Sequence, residues 1–495
     1  MKKLLIIAML LQYPYLLFAQ KKDTVLNILN ARINQLVTSM RVNNHLSAYL
    51  TNIHHNNFEL TAVNDSPAVA WHTQLKGSVL TAGVFKNRII VITYTVRHLK
   101  YGKAHDFSGL IFDAATGRQL GEKLFYQSDT GKYERAFSFD FTENSFRLVV
   151  KDEGTERRKY HNFDKPTFFS KVSPFYSLPI FGITHQVQVF NYNQQLETTS
   201  VGDFAVKGGL IGYDFDKKGD LMVALLNDND IEIDKFITGN GAPISSIKAG
   251  LNLKSELGRR KMPSIIVKAS ADNPDEFFYA IEGNTSHSAE ARLGKVNFAD
   301  NTSTSVITTF TDDELKAMEK NYTPVNKDIT KIDFRNAKDM DIADLLVTGD
   351  KVILPMQAST VSSYTIDDSQ YYTSGVGAAI YNVFSTDLKP LYKAILPTRA
   401  TADANVSFNE NNHIGMNGNK LYILGNADDP KRNGGLYAVL DLKSGRWDKM
   451  ELIGKMEEQV SLFDAIWLKN VFFMPNFSTP PRLSTGQLNL RMKRY

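Results

Sequence analysis

The side chains that could do chemistry in this sequence come in small, separate sets. Asp214, Asp216 and Gly219 occupy the first, third and sixth positions of a calcium-loop pattern. The fifth position is Lys218, and Leu225 stands at the twelfth where a bidentate glutamate belongs. Two of the oxygen ligands a calcium ion needs are therefore missing, and the stretch reads as a turn. Asn227-Asp228-Asn229-Asp230 crowds four polar side chains into one connection, which suits a hard cation or a plain tight loop. His54 and His55 are adjacent, so on a strand they point in divergent directions and provide no ligand spacing. No metal or cofactor is predicted.

Catalytic motifs are absent as well. There is no Gly-x-Ser-x-Gly elbow, no His-Glu-x-x-His and no glycine-rich phosphate loop, and without cysteine there is no thiolate nucleophile. Acid pairs such as Asp312-Asp313, Asp367-Asp368 and Asp428-Asp429 read as solvated loop tips, because glycosidase carboxylates meet in space and not in sequence. His105, Asp106 and His161 are the groups that an exported hydrolase or lyase acting on carbohydrate would bring together. Catalytic residues otherwise stay unassigned.

Aromatic density points to binding. Between Lys151 and Gln186 lie Tyr160, Phe163, Phe168, Phe169, Phe175, Tyr176 and Phe181, beside Arg157, Arg158 and Lys159. Such rings stack on sugars, anchor a protein partner or form a local core. From Gln357 to Val376, Tyr364, Tyr371 and Tyr372 accompany Asp367 and Asp368 in a Ser/Thr-rich setting that reads as a solvent-facing recognition loop. The predicted contacts are Tyr160, Phe163, Tyr371 and Tyr372, with Asp367 and Asp368 as polar partners.

The elements that position these residues are β-strands: 30 Phe and 21 Tyr sit among many Val, Ile and Thr. A polar turn followed by a short apolar strand recurs seven times, at Ile89–Tyr94, Phe146–Val150, Leu221–Leu226, Phe277–Ile281, Val352–Met356, Leu421–Gly425 and Val471–Pro475. Starts are 50 to 75 residues apart, which suits four-stranded blades with inserted loops. After these come strand, Asp or Asn turn, strand, clearest at Gly109–Leu120, Ala378–Tyr392 and Gly435–Trp447 and weaker at Val187–Leu196 and Ala291–Ile307. That order is a propeller blade. The reading is an all-β, seven-bladed β-propeller over residues 77–495.

The stretch Tyr213-Asp214-Phe215-Asp216-Lys217-Lys218-Gly219-Asp220-Leu221-Met222-Val223 resembles the blade signature of bacterial propellers of the two-component-regulator and quinoprotein-like kinds. The likeness runs over roughly residues 77–495. It lacks the tryptophan those families often place in the strand, and it implies a fold without an activity.

Two segments depart from the β pattern. Val25, Leu29, Ile33, Leu36, Val37 and Met40 follow helical spacing, so residues 20–76 read as an N-terminal amphipathic helix, from Thr24 to about Leu50, and a lead-in. Thr311-Asp312-Asp313-Glu314 is a capping box that opens a short helix through Lys320. Phe58–Val63 is expected to share a sheet with Gly486–Tyr495 and close the ring.

Residues 1–19 have the order of a cleavable signal peptide: basic Lys2 and Lys3, an apolar run from Leu4 to Phe18, and small Ala19 before polar Gln20. At about fifteen residues, broken by Gln12 and Pro14, the run is shorter than the roughly twenty of a spanning helix. No later apolar run is long enough to cross a bilayer. The mature chain is expected in the periplasm or at the outer surface. Removing Lys2 and Lys3 lowers the formal charge from +4 to +2, too little to imply a nucleic-acid or anionic-membrane surface.

In an antiparallel blade the connections between first and second and between third and fourth strands share one face, and those between second and third lie on the other. Here the second-to-third connections are the long ones: Arg97–Phe107, Lys151–Gln186, Gln357–Val376, Ala427–Asn433 and Asn476–Ser484. The expected function is a binding platform for protein or glycan on that face; the alternative is the hydrolase or lyase, with its site at the channel mouth.

Overall fold

The computed structural model describes residues 24–26, 29, 35–54, 56–99, 102–128, 134–153, 183–227, 230–237, 240–251, 265–283, 287–326, 329, 332–334, 336–366, 369–403, 412–429, 432–453, 458–460, 465–478 and 488–494. The segment read as a signal peptide lies outside them.

Among the described residues the chain forms antiparallel blades in sequence order. Strand β1 is Thr24–Leu26. Blade 1 holds β2 (Leu36–Arg41), β3 (Leu46–His54), β4 (Asn57–Asn64) and β5 (Val69–Lys76), and blade 2 holds β6 (Val79–Phe85), β7 (Arg88–Leu99), β8 (Gly102–Asp113) and β9 (Gln119–Gln127). Blade 3 is β10 (Glu134–Phe141), β11 (Phe146–Glu153), β12 (Ile183–Tyr192) and the first half of β13 (Thr198–Phe215). The second half of β13 begins blade 4 and is followed by β14 (Leu221–Asn227), β15 (Asp230–Phe236) and β16 (Ser245–Lys248). Blade 5 is β17 (Ile265–Ala269), β18 (Glu276–Glu282), β19 (Ser288–Asn297) and β20 (Thr302–Thr311). In blade 6, β21 (Met340–Ile342) and β22 (Leu346–Thr348) both pair with β23 (Lys351–Ile366). It continues with β24 (Ser369–Ser385) and β25 (Pro390–Leu396), and β26 (Ala400–Asp403) adds to β24. Blade 7 is β27 (His413–Asn417), β28 (Lys420–Asp429), β29 (Arg432–Asp441) and β30 (Arg446–Ile453). In blade 8, β31 (Glu458–Val460) and β32 (Ile466–Trp467) pair with β33 (Val471–Ser478), then come β34 (Leu488–Arg494) and, outermost, β1.

First strands pack on one another around the centre, β2 on β6, β6 on β10, β13 on β17, β17 on β22, and β32 back on β2. The molecule is an all-β propeller with eight blades and not the expected seven, because residues 36–76 form a blade of their own ahead of residue 77.

Seven of the eight second strands are the seven apolar strands predicted from sequence, and their continuous hydrophobicity has a geometric cause. Ile89 and Val91 of β7 pack with Leu50 and Leu60 of blade 1, while Ile90 and Ile92 pack with Leu148 and Val150 of blade 3. A strand covered on both faces is apolar at every position. The missed second strand is β3, with Ala48, Tyr49 and Leu50 fully buried. It lies in the segment read as a helix, and that reading is corrected: the described parts of Thr24–Leu50 include β1, β2 and the start of β3. Phe58–Val63 belongs to β4, between β3 and β5, so the expected closure by this segment is also corrected. The closing strand is β1, in register Thr24↔Met492, Val25↔Arg491 and Leu26↔Leu490.

A proline explains the broken inner strand of blade 6, and a second proline sits at the matching place in blade 8. Pro355 and Pro475 sit in second strands and lack a backbone N–H. Opposite Pro355 the inner strand is interrupted between Ile342 and Leu346; in blade 8, Val460 pairs with Asn476 and Ile466 with Phe473, on either side of Met474-Pro475. The Ala343 N–H still donates to the Pro355 carbonyl at 2.9 Å.

The third-to-fourth turns repeat one chemistry. Asp113 Oδ1 accepts the N–H groups of Ala115 and Thr116, Asn193 Oδ1 those of Gln195 and Glu197, and Asp441 Oδ1 those of Lys443 and Ser444. Helix α1 (Asp312–Lys320) begins with the predicted capping box, Glu314 N–H to Thr311 Oγ1 at 3.2 Å and Thr311 N–H to Glu314 Oε2 at 2.8 Å. Its Leu315 is buried in the core shared by blades 5 and 6.

Candidate functional site

Of the predicted contacts, Tyr160 and Phe163 lie outside the described residues, as do Asp367, Asp368 and His161. The segment Gln357–Val376 is not a loop: β23 and β24 continue as a ladder past the blade, pairing Ser363 with Tyr372, Tyr364 with Tyr371 and Ile366 with Ser369. Ser, Thr, Tyr and Val predominate there, and these residues suit a pleated strand as well as a polar loop. The hairpin gains a third strand where β26 pairs Thr373–Val376 with Ala400–Asp403. Arg97–Phe107 is likewise a hairpin, with β7 and β8 paired to Leu99↔Gly102, and β28 and β29 pair to Asp429↔Arg432. All three join second to third strands and so rise from one face.

The proposed catalytic set does not assemble among the described residues. Arg97 holds Asp106 by two hydrogen bonds, Nε to Oδ2 at 2.6 Å and Nη2 to Oδ1 at 2.9 Å, and also donates to the Ser128 carbonyl. Both carboxylate oxygens are occupied, and at 9% exposure Asp106 is a structural anion. The His105 ring packs on Phe137, centroids 5.4 Å apart.

The calcium-like stretch is a turn. Asp216 Oδ1 accepts the N–H groups of Lys218 and Asp220, and its Oδ2 lies 3.5 Å from Lys235 Nζ. Asp230 accepts the N–H groups of Gly250 and Leu251, so it pins backbone.

A cavity of about 250 Å³ opens on the opposite face, where blades 7, 8 and 1 meet. Gly415, Met416 and Asn417 of β27 line one side with Tyr422 of β28. Trp467 of β32, Leu468 and Lys469 come from blade 8, and Arg41 and Asn44 from blade 1. These positions sit at or beside first-to-second-strand turns. The walls are tied across the seam by the Lys469 N–H, which donates to the Asn44 carbonyl at 3.0 Å, and within blade 1 Arg41 Nη2 donates to Asn44 Oδ1. Gly415 makes room for the indole, since a Cβ there would come within 2.7 Å of Trp467. Behind Trp467 lie Phe472, with ring centroids 4.9 Å apart, and His413, nearly parallel to it at 6.2 Å. Burial lowers the His413 imidazole to about 4, so it is neutral at pH 7.

Sequence reasoning missed this cavity. Gly418-Asn419-Lys420 and Lys469-Asn470 figured only as turns that introduce strands, and Arg41 and Asn44 fell in the segment read as a helix. The available signal was that three polar turns, in blades consecutive around the ring, each border an apolar strand.

Fold and site together define an eight-bladed propeller with a braced hairpin on one face and a polar cavity on the other. No protein-family model matches the chain, and no curated protein matches it. Among solved structures it is similar to the Dos1 propeller, at 10% identity over 95% of this chain and 94% of that one, with a TM-score of 0.43. It is also similar to the Nup133 β-propeller domain of Vanderwaltozyma polyspora, at 9% identity over 90% and 100%, TM-score 0.40. The polysaccharide lyase Uly1 matches at 10% identity over 96% and 99%, TM-score 0.36. Architecture here rests on the strand pairing itself.

Proposed function

We propose that this chain is an exported, non-catalytic binding platform that holds a protein or glycan on the face bearing the extended hairpins. The observation that carries this reading is the β23–β24 hairpin braced by β26, whose paired backbone includes Tyr371 and Tyr372. A rigid stem lowers the ordering cost of binding. Tyr160, Phe163, Asp367 and Asp368 are the further contacts proposed for this face. Occupation of Asp106 by Arg97 favours binding over the hydrolase or lyase alternative, and the basic, apolar, small-residue order of residues 1–19 supports export.

The test is capture from the native cell envelope and a glycan array, with wild type beside a Tyr371→Ala/Tyr372→Ala variant. If the tyrosines are anchors, binding weakens by roughly 1–3 kcal/mol with an unchanged melting temperature. Equal binding by the double variant removes this assignment.

A further inference from the structure

We infer that the cavity at the junction of blades 7, 8 and 1 is a subsite for an acidic sugar unit, a saccharide ring bearing a carboxylate. It is a second site, on the face opposite the hairpins, and does not rest on the platform reading.

Charge gives the first part of the argument. Among the described residues, Arg41 and Lys469 line the cavity, no carboxylate does, and neither cation forms an ion pair. Arg41 is held instead by the neutral amide of Asn44, which fixes its direction and leaves its charge uncompensated. A guanidinium and an ammonium facing one hollow favour a carboxylate.

Shape and polarity give the second part. Inorganic anions need neither an aromatic wall nor amides, yet Trp467 and Tyr422 supply ring surface, and Asn44 and Asn417 supply amides able to meet hydroxyl groups. Aromatic surface beside amides matches a sugar ring, which has apolar C–H faces and a polar rim. A volume of about 250 Å³ admits a single ring and not a long chain. His413, neutral behind the indole, adds no competing charge at pH 7.

The experiment titrates the full-length protein with sodium glucuronate, glucose and sodium sulfate at matched ionic strength, read by calorimetry and by saturation-transfer NMR. Glucuronate is expected to bind at least roughly tenfold more tightly than glucose or sulfate, and Arg41→Gln and Lys469→Gln each to weaken it roughly tenfold with unchanged melting temperature. Both side chains are exposed, so these variants fold. Asn417→Ala is expected to weaken glucuronate several-fold without changing sulfate binding. Equal affinity for glucose overturns the role of charge, and equal affinity for sulfate overturns the role of the sugar ring. No binding of glucuronate, or binding indifferent to both cation variants, overturns the site.

Discussion

The Tyr392 hydroxyl donates a 2.7 Å hydrogen bond to the Leu442 carbonyl, which latches the outer strand of blade 6 onto the third-to-fourth turn of blade 7. Its ring lies over Gly445, at φ +71°, where an added Cβ would stand 2.8 Å from the ring. Blades 1 and 2 repeat the joint: Trp71 Nε1 donates to the Ala114 carbonyl at 3.2 Å, and the indole covers Gly117, at φ +70°. Each latch needs glycine twice, for the positive φ and for the ring overhead.

Gly445→Ala is therefore expected to cost about 1–3 kcal/mol in chemical denaturation, from backbone strain and displacement of the ring. Tyr392→Phe keeps the ring and loses the hydrogen bond, at about 1 kcal/mol. Gly418 is a useful control: its φ is +58° with nothing near its Cβ, so Gly418→Ala reports strain alone and is expected to cost less than Gly445→Ala.

Lys235 clasps blades 4 and 5. Its Nζ donates to Asp275 Oδ1 at 2.8 Å and to the Pro274 carbonyl at 2.7 Å, and lies 3.5 Å from Asp216, whose side chain is fully buried. Lys235→Met leaves that carboxylate without its counter-charge, with an expected loss of roughly 3–5 kcal/mol in urea titration. Adding Asp216→Asn should recover part of the loss, because no unpaired buried charge is then left. A Lys235→Met variant as stable as wild type would show that the pair contributes nothing.

Stability should depend on pH through His413. Its folded value is lowered to about 4 by burial, against about 6.5 unfolded. Below pH 6.5 the unfolded chain takes a proton that the folded chain refuses, so the contribution is full above 6.5 and is lost as pH falls towards 4. The loss amounts to about 3 kcal/mol across the window. His413→Gln should flatten the slope of stability against pH between 6.5 and 4, measured by denaturant midpoints, whatever its effect at pH 8.

What was legible in the sequence follows from what each element touches. Second strands between two neighbouring blades must be apolar throughout, so IIVITY, LMVALL and their counterparts stood out. In β3 the run Leu46-Ser47-Ala48-Tyr49-Leu50 is equally buried, but its hydroxyl at Ser47 is satisfied by the Val63 carbonyl, a partner invisible from local sequence. The helical spacing of Val25 to Met40 arose from residues with unrelated surroundings, Val25 in the closing strand, Leu29 in the core of the seam and Met40 in an inner strand. Hairpins read as loops because Ser, Thr and Tyr make polar strands once paired. The cavity draws on residues 41–44, 415–422 and 467–469, which only ring closure brings together.

Ring closure itself makes the last prediction. Three backbone pairs join β1 to β34, and three residues on, Leu29 is 1% exposed among Phe473, Leu488, Leu490 and Met492 of blade 8 and Tyr49 of blade 1. The short strand supplies the ladder, and Leu29 the apolar anchor that holds it there. Leu29→Ala opens a cavity at the seam and is expected to cost roughly 2–5 kcal/mol. Deleting residues 24–29 should do more than that, because it also leaves β34 as an open edge carrying Leu488, Leu490 and Met492. Light scattering after size exclusion is expected to show association of the deletion variant, while Leu29→Ala stays monodisperse with a lowered denaturation midpoint. A deletion variant with wild-type stability and no association would mean that blade 8 closes without β1.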